Sequence, residues 1–156
     1  EDPEEAAVDF GRILKTAYEE AGFLLTFSRA GDARLHIQSI RQRLLEMQAL
    51  MVEGRYEEVP AVAANFEFHV TQAVILVEGL NKRDPEQARP LARELKTSLE
   101  KQAGLIRLLA RFVPASTRAQ CERVRSISVS GVFAVQDILG PNGMRPTLLA
   151  YNFVMR

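Results

Sequence analysis

The sequence predicts an all-α protein, a bundle of four to five helices followed by a short apolar C-terminal tail. Three observations carry that expectation. Apolar residues recur at three- and four-residue steps along most of the chain. Residues that start or stop helices fall between those runs, at Asp2-Pro3, Gly54, Asp84-Pro85 and Pro114. The length of 156 residues, 47% of them apolar, supports one domain with a real core and no need of disulfide staples. The whole chain, 1–156, therefore reads as a single helical domain, with a bundle over about 3–139 and a tail over 144–156.

The leading helix takes Asp2 as N-cap and Pro3 at its first position, with Glu4 and Glu5 at the positive end of its dipole. Phe10, Ile13, Leu14, Ala17, Ala21, Leu24 and Leu25 form its stripe, and it is expected to end near Ser28–Gly31. A second helix follows in "RLHIQSIRQRLLEMQALMVEG", capped by Asp32. Its inward residues are Ile37, Ile40, Leu44, Met47 and Met51, and it stops at Gly54.

The third helix, about 57–80, is apolar on two sides. Val59, Val62, Phe66, Val70, Ala73 and Val77 make one face; Ala61, Ala64, Phe68 and Ile75 make a second, roughly opposite. A helix of that kind is buried between layers or shared with a partner. Asn65, His69 and Gln72 line one flank between the faces. After the polar turn "NKRDP", the fourth helix starts at Asp84-Pro85, contains Pro90, and breaks at Pro114. The fifth is expected to be capped by Ser116 or Thr117, with Val124, Ile127, Gly131, Val135 and Ile138 inward. Gly131 on that face points to a close approach of another element. "GPNG" at 140–143 is a turn, and the apolar tail after it fits either a short strand or a last helical turn.

Charge excludes some partners. Lys+Arg and Asp+Glu balance at 20 each, so no net field favours nucleic acid or an anionic membrane. A lone cysteine, Cys121, has no internal disulfide partner. No apolar run approaches the roughly 20 residues needed to span a bilayer. The chain opens on Glu1 with no signal-peptide pattern, as expected of a fragment or processed form whose anchor or partner domain lies elsewhere.

Site chemistry is sparse. A di-iron bundle needs two Glu-x-x-His motifs and further carboxylates. The only histidines are His36 and His69, and neither follows a glutamate by three. His69 reads as an amphipathic residue at the edge of the core, and His36 as a surface residue. Cys121 reads as a small, half-buried side chain at the rim of its helix face. There is no nucleophile elbow, phosphate-cradling glycine loop or dinucleotide fingerprint. Arg107, Arg111, Arg118, Arg123 and Arg125 form the densest basic region, a solvated helix face or a site for an acidic partner. No metal, cofactor or nucleic acid is expected.

Lys15 and Glu19 in the leading helix, then Leu35, His36, Arg43, Leu44, Glu46, Leu50 and Gly54, then Leu105, Leu108 and Pro114 follow a spacing seen elsewhere. From Lys15 to Ser126 the chain resembles an all-helical bacterial domain of unknown function found C-terminal to the membrane segment of anti-sigma-factor-related proteins. It departs in lacking the Pro-rich start of the first helix and in its tail after Gly140. It also lacks the His-x-x-x-Cys-x-x-Cys zinc motif of many anti-sigma domains, so sigma-factor binding is not carried over. The resemblance implies an extracytoplasmic, membrane-tethered sensor or interaction module without catalytic residues, reaching a membrane only through a flanking segment.

The expected function is a non-enzymatic helical interaction or sensory module with a protein partner or self-association. Phe68, Ile75, Tyr151 and Phe153 are its candidate interaction surface. The alternative is a small-ligand-binding bundle, with Asn65, His69 and Gln72 as the polar contacts, and the alternative location is the cytoplasm.

Overall fold

The computed structural model describes residues 29–140, and among them every regular element is helical. Four helices follow in order: α1 (Arg29–Glu53), α2 (Val59–Arg83), α3 (Pro85–Leu109) and α4 (Ala115–Leu139), with a 3₁₀ turn at Tyr56–Glu58. The expected leading helix and apolar tail, with Tyr151 and Phe153, lie outside the described residues.

Short connections make sequence neighbours antiparallel. α1 ends in a Schellman motif: Gly54 has φ 75°, its N–H donates to the Met51 carbonyl at 3.3 Å, and the Arg55 N–H donates to Leu50 at 2.9 Å. Only a residue at ease in the left-handed region closes that turn, so glycine stands there. α2 and α3 are separated by Asp84 alone. Its N–H donates to the Leu80 carbonyl at 2.7 Å, and its carboxylate accepts from the Gln87 N–H at 3.3 Å. One residue thus ends one helix and caps the next, and Pro85 at the first position needs no donor. Pro90 stays inside α3.

Two expected boundaries move. α1 is already helical at Arg29, so Gly31 and Asp32 lie in its first turn and are not stop and cap. Ala30 and Ala33 are buried in line with Ile37, and that packing carries the helix back through the glycine. At α4, Pro114 occupies the N-cap position without a side-chain cap, and its carbonyl accepts from the Arg118 N–H at 2.9 Å. Ser116 and Thr117 fall inside the first turn, and Thr117 is buried.

α1 packs on α2 and α3; α4 packs on the same two; α2 and α3 also touch across the middle. Ile37, Ile40, Leu44, Met47, Phe66, Leu91, Leu95, Leu99, Val124 and Val135 fill the centre. A close crossing lies at Gly131 in α4. A Cβ there would meet Leu99 Cδ1 at 2.8 Å and Val70 Cγ1 at 3.1 Å. Both neighbours are buried and cannot swing into solvent. Gly104, in contrast, sits exposed inside α3, with nothing within 4 Å of its added Cβ.

These two glycines have opposite expectations. Gly131→Val is expected to lower unfolding free energy by about 1–3 kcal/mol through overpacking. Gly104→Ala is expected to raise it by about 0.5–1 kcal/mol, because it adds helix propensity without a clash. Urea unfolding of the two variants beside the wild type measures both signs.

Candidate functional site

The α1–α2 hairpin brings together residues that are 33 apart in sequence. His36 sits one residue before buried Ile37, and His69 one before buried Val70, so each ring leaves the flank of its helix and not its centre. Across the hairpin the Nδ1 atoms of His36 and His69 lie 2.9 Å apart. These are the only two histidines in the chain. The ring centroids are 5.2 Å apart, and Phe68 stands edge-on to both, at 6.1 Å from His36 and 5.3 Å from His69. His36 is thus half-buried and partnered, not the surface residue expected. The pairing follows from the α1–α2 register, which sequence spacing does not specify.

The contact constrains protons. Two nitrogens at 2.9 Å need one hydrogen between them, so one ring donates Nδ1–H and the other accepts with a bare Nδ1. One added charge is compatible with that bond. Protonating both rings would set two N–H donors face to face, with like charges across the gap. Burial lowers the His36 pKa below its ordinary 6.5, and Asp32, one turn earlier on α1, opposes the shift. Because the folded value lies below the unfolded one, the contribution is present above pH 6.5 and is lost as pH falls through the folded pKa. Unfolding free energy should therefore decline as pH falls below about 6.5. His36→Gln should flatten that decline in paired urea titrations, and equal slopes in the two proteins would refute the assignment.

The expected polar trio is spread along the same flank of α2. Asn65 is exposed, Gln72 is half-buried, and His69 is engaged with His36. A partly open pocket of about 40 Å³ lies elsewhere, lined by Leu44, Leu99, Ile106, Arg107, Cys121 and Glu122 among others. That volume admits a few waters at most. Of the expected interaction residues within the described chain, Phe68 and Ile75 are 53% and 55% exposed on the outer side of α2.

Cys121 is buried, not at a rim. Its thiol donates to the Met51 sulfur at 3.5 Å, across the α1–α4 interior. Burial pushes its pKa up and Glu122 adds to this, while Arg118 works weakly against it. The native thiol should react with a disulfide reagent at least about a hundredfold more slowly than in urea, because reaction waits on opening of the core. A native rate within threefold of the unfolded one, roughly, would place Cys121 in solvent's reach.

The basic region comes apart into separate roles. Arg118 donates to the Ala110 carbonyl at 3.1 Å and the Val113 carbonyl at 3.4 Å, tying down the turn before α4. Arg123 pairs with Glu67 of α2, and Arg125 with Glu122 at 3.5 Å. Arg107 and Arg111 stay in solvent. Among the described residues, no three His, Cys, Asp or Glu side chains converge as a metal ion requires.

One helical stretch among the described residues, Tyr56–Arg83, is long and apolar enough to cross a bilayer by length and composition. Counting uninterrupted apolar runs missed it, because Asn65, Glu67, His69, Thr71 and Gln72 break the run without lowering the average far enough. Only 33% of its most apolar window is buried, although it packs on all three other helices. No family model, no curated protein and no solved structure matches the chain.

Proposed function

We propose that the chain is a non-enzymatic helical interaction module whose contact surface includes the outer face of α2. The supporting observation is that α2 is apolar on both sides. Its inner face, with Phe66 at 1% exposure, is spent on the core, while Phe68 and Ile75 project outward seven residues apart on one stripe. Exposed apolar side chains grouped in this way mark contact surfaces. Asn65 and Gln72 frame the same stripe and would supply its polar rim. The partner is a protein surface or a second copy. Placement outside the cytoplasm, tethered through a flanking segment, has the sequence resemblance as its only support.

The test is a photo-crosslinking residue at position 75, introduced into the full chain in its own cells, with position 89 on α3 as the exposed control. The expected result is one adduct specific to position 75, abolished by Phe68→Ser. That substitution should weaken partner binding at least about tenfold, and it should lower stability by about 0.5–1.5 kcal/mol because it also removes the ring contacts to His36 and His69. Adducts equal at both positions would overturn the reading. A run of about 20 apolar residues encoded shortly before Glu1 would support tethering; a gene without one would remove it.

A further inference from the structure

Five of the eight large apolar side chains exposed among the described residues gather on one face that α2 does not contribute to. They are Leu45 and Val52 of α1, and Leu105, Leu108 and Phe112 of α3 or the turn after it. The register that unites them is fixed by Arg41, whose Nε donates to Ser98 Oγ at 2.9 Å and whose Nη2 reaches Glu94 Oε1 at 3.2 Å. Two antiparallel steps make α1 and α3 parallel, so both helices advance the same way from that contact. Leu45 and Val52 follow Arg41 by four and eleven residues, and Leu105, Leu108 and Phe112 follow Ser98 by seven, ten and fourteen. Those steps keep Leu45, Val52 and Leu105 on the flank each helix turns toward the other, with Leu108 about 80° further toward solvent and Phe112 in the turn beyond, all within about 20 Å of the Arg41–Ser98 bond. Phe112, 81% exposed, is held at the end of the row by its N–H bond to the Leu109 carbonyl at 3.0 Å.

The charge that remains open along this row is positive, and it lies on the α3 side. On these faces Glu46, Glu53 and Glu94 are each already paired, with Arg43, Arg55 and Arg41. Gln42 adds only a neutral group to the α1 side. Lys101 and Arg111, beside Leu105, Leu108 and Phe112, are exposed and have no ion-pair partner among the described residues. Two parallel helices leave a groove shaped for a third. A second copy seated by two-fold symmetry would present the same groove, not a ridge to fill it.

The geometry points to the α1–α3 groove as the seat of a partner protein's amphipathic helix, its apolar stripe on Leu45, Val52, Leu105, Leu108 and Phe112 and its acidic flank on Lys101 and Arg111. This rests on the interaction-module reading, but uses a different face from Phe68 and Ile75. The partner helix lies with three- and four-residue anchors in the groove. The basic rim sets its charge preference and speeds its approach.

The test uses the full chain and labelled, idealised amphipathic peptides of about 18 residues, a length that sustains some helix. One peptide has leucine on the stripe and glutamate on the flanks, and the other has lysine on the flanks. Fluorescence anisotropy should show the glutamate peptide binding at least about tenfold tighter than the lysine peptide, with the advantage shrinking as salt rises. The pair Leu108→Ser and Phe112→Ser should weaken binding at least about tenfold, while far-UV circular dichroism stays unchanged. Lys101→Glu with Arg111→Glu should reverse the peptide preference. Phe68→Ser with Ile75→Ser should leave the affinity unchanged.

Equal binding of the two peptides, or none, overturns the proposal. So does dependence on Phe68 and Ile75 in place of the groove, an outcome that would leave the α2 contact surface standing. Sedimentation with anionic phosphatidylglycerol vesicles that is lost with Leu108→Ser and Phe112→Ser would assign the groove to a lipid surface. Concentration-dependent dimerisation lost in the same variants would assign it to a second copy. Either result also overturns the partner-helix assignment.

Discussion

The bundle depends on a side chain that is not there. At Gly131 the backbone of α4 comes close enough to α2 and α3 that a methyl group would press on Val70 and Leu99 together. Glycine inside a helix costs about 1 kcal/mol of propensity. The close approach offsets it by bringing Val132, Val135 and Cys121 of α4 into the shared interior. Core packing close to crystal density leaves little room to absorb an added methyl. This crossing sets how far α4 stands from its two neighbours.

Around that crossing the four helices form two hairpins set side by side. α1 lies along α3 and α2 along α4, each pair parallel. One arginine–glutamate contact marks each pairing: Arg41 with Glu94, and Arg123 with Glu67. The partners are 53 residues apart in the first and 56 in the second, so both record nearly the same offset between hairpins. Exposed pairs of this kind contribute about 0–1 kcal/mol. They are better understood as register marks than as the source of stability, which lies in the apolar centre.

Much of this was legible in the residues, and the losses have physical reasons. The stripe Ile37, Ile40, Leu44, Met47 and Met51 is buried throughout, and the roles of Gly54 and Asp84 follow from chemistry that only a few residue types provide. The errors at Gly31, Asp32, Ser116 and Thr117 share a cause. Each residue favours a boundary locally, and tertiary burial of Ala30 and Ala33, or the fixed φ of Pro114, decided otherwise. The outward direction of Phe68 and Ile75 was readable because it depends on one helix alone. The His36–His69 contact was not, because it depends on how two helices are set against each other. Cys121 was misplaced for a similar reason: its angle on α4 suggested a rim, but Met51 from α1 covers it.

The same distinction explains the groove between α1 and α3. Taken singly, Leu45 and Val52 are stray apolar residues on the outer side of a well-formed amphipathic helix, and exposed leucines need no explanation one at a time. Leu105, Leu108 and Phe112 look like the ragged end of a helix before a proline. Only the Arg41–Ser98 register shows that the two sets rise together on one flank. A surface that takes a contribution from each of two hairpins exists only when they are docked. Any partner seated there binds the assembled bundle better than a loosened one, and so stabilises it by mass action. The α2 outer face depends less on docking: Ile75 belongs to one helix, although Phe68 also stands edge-on to His36 of α1. The two proposed faces, of which only the groove is made wholly by docking two hairpins, would let one small bundle hold two partners and make the groove's partner the more sensitive to its assembly.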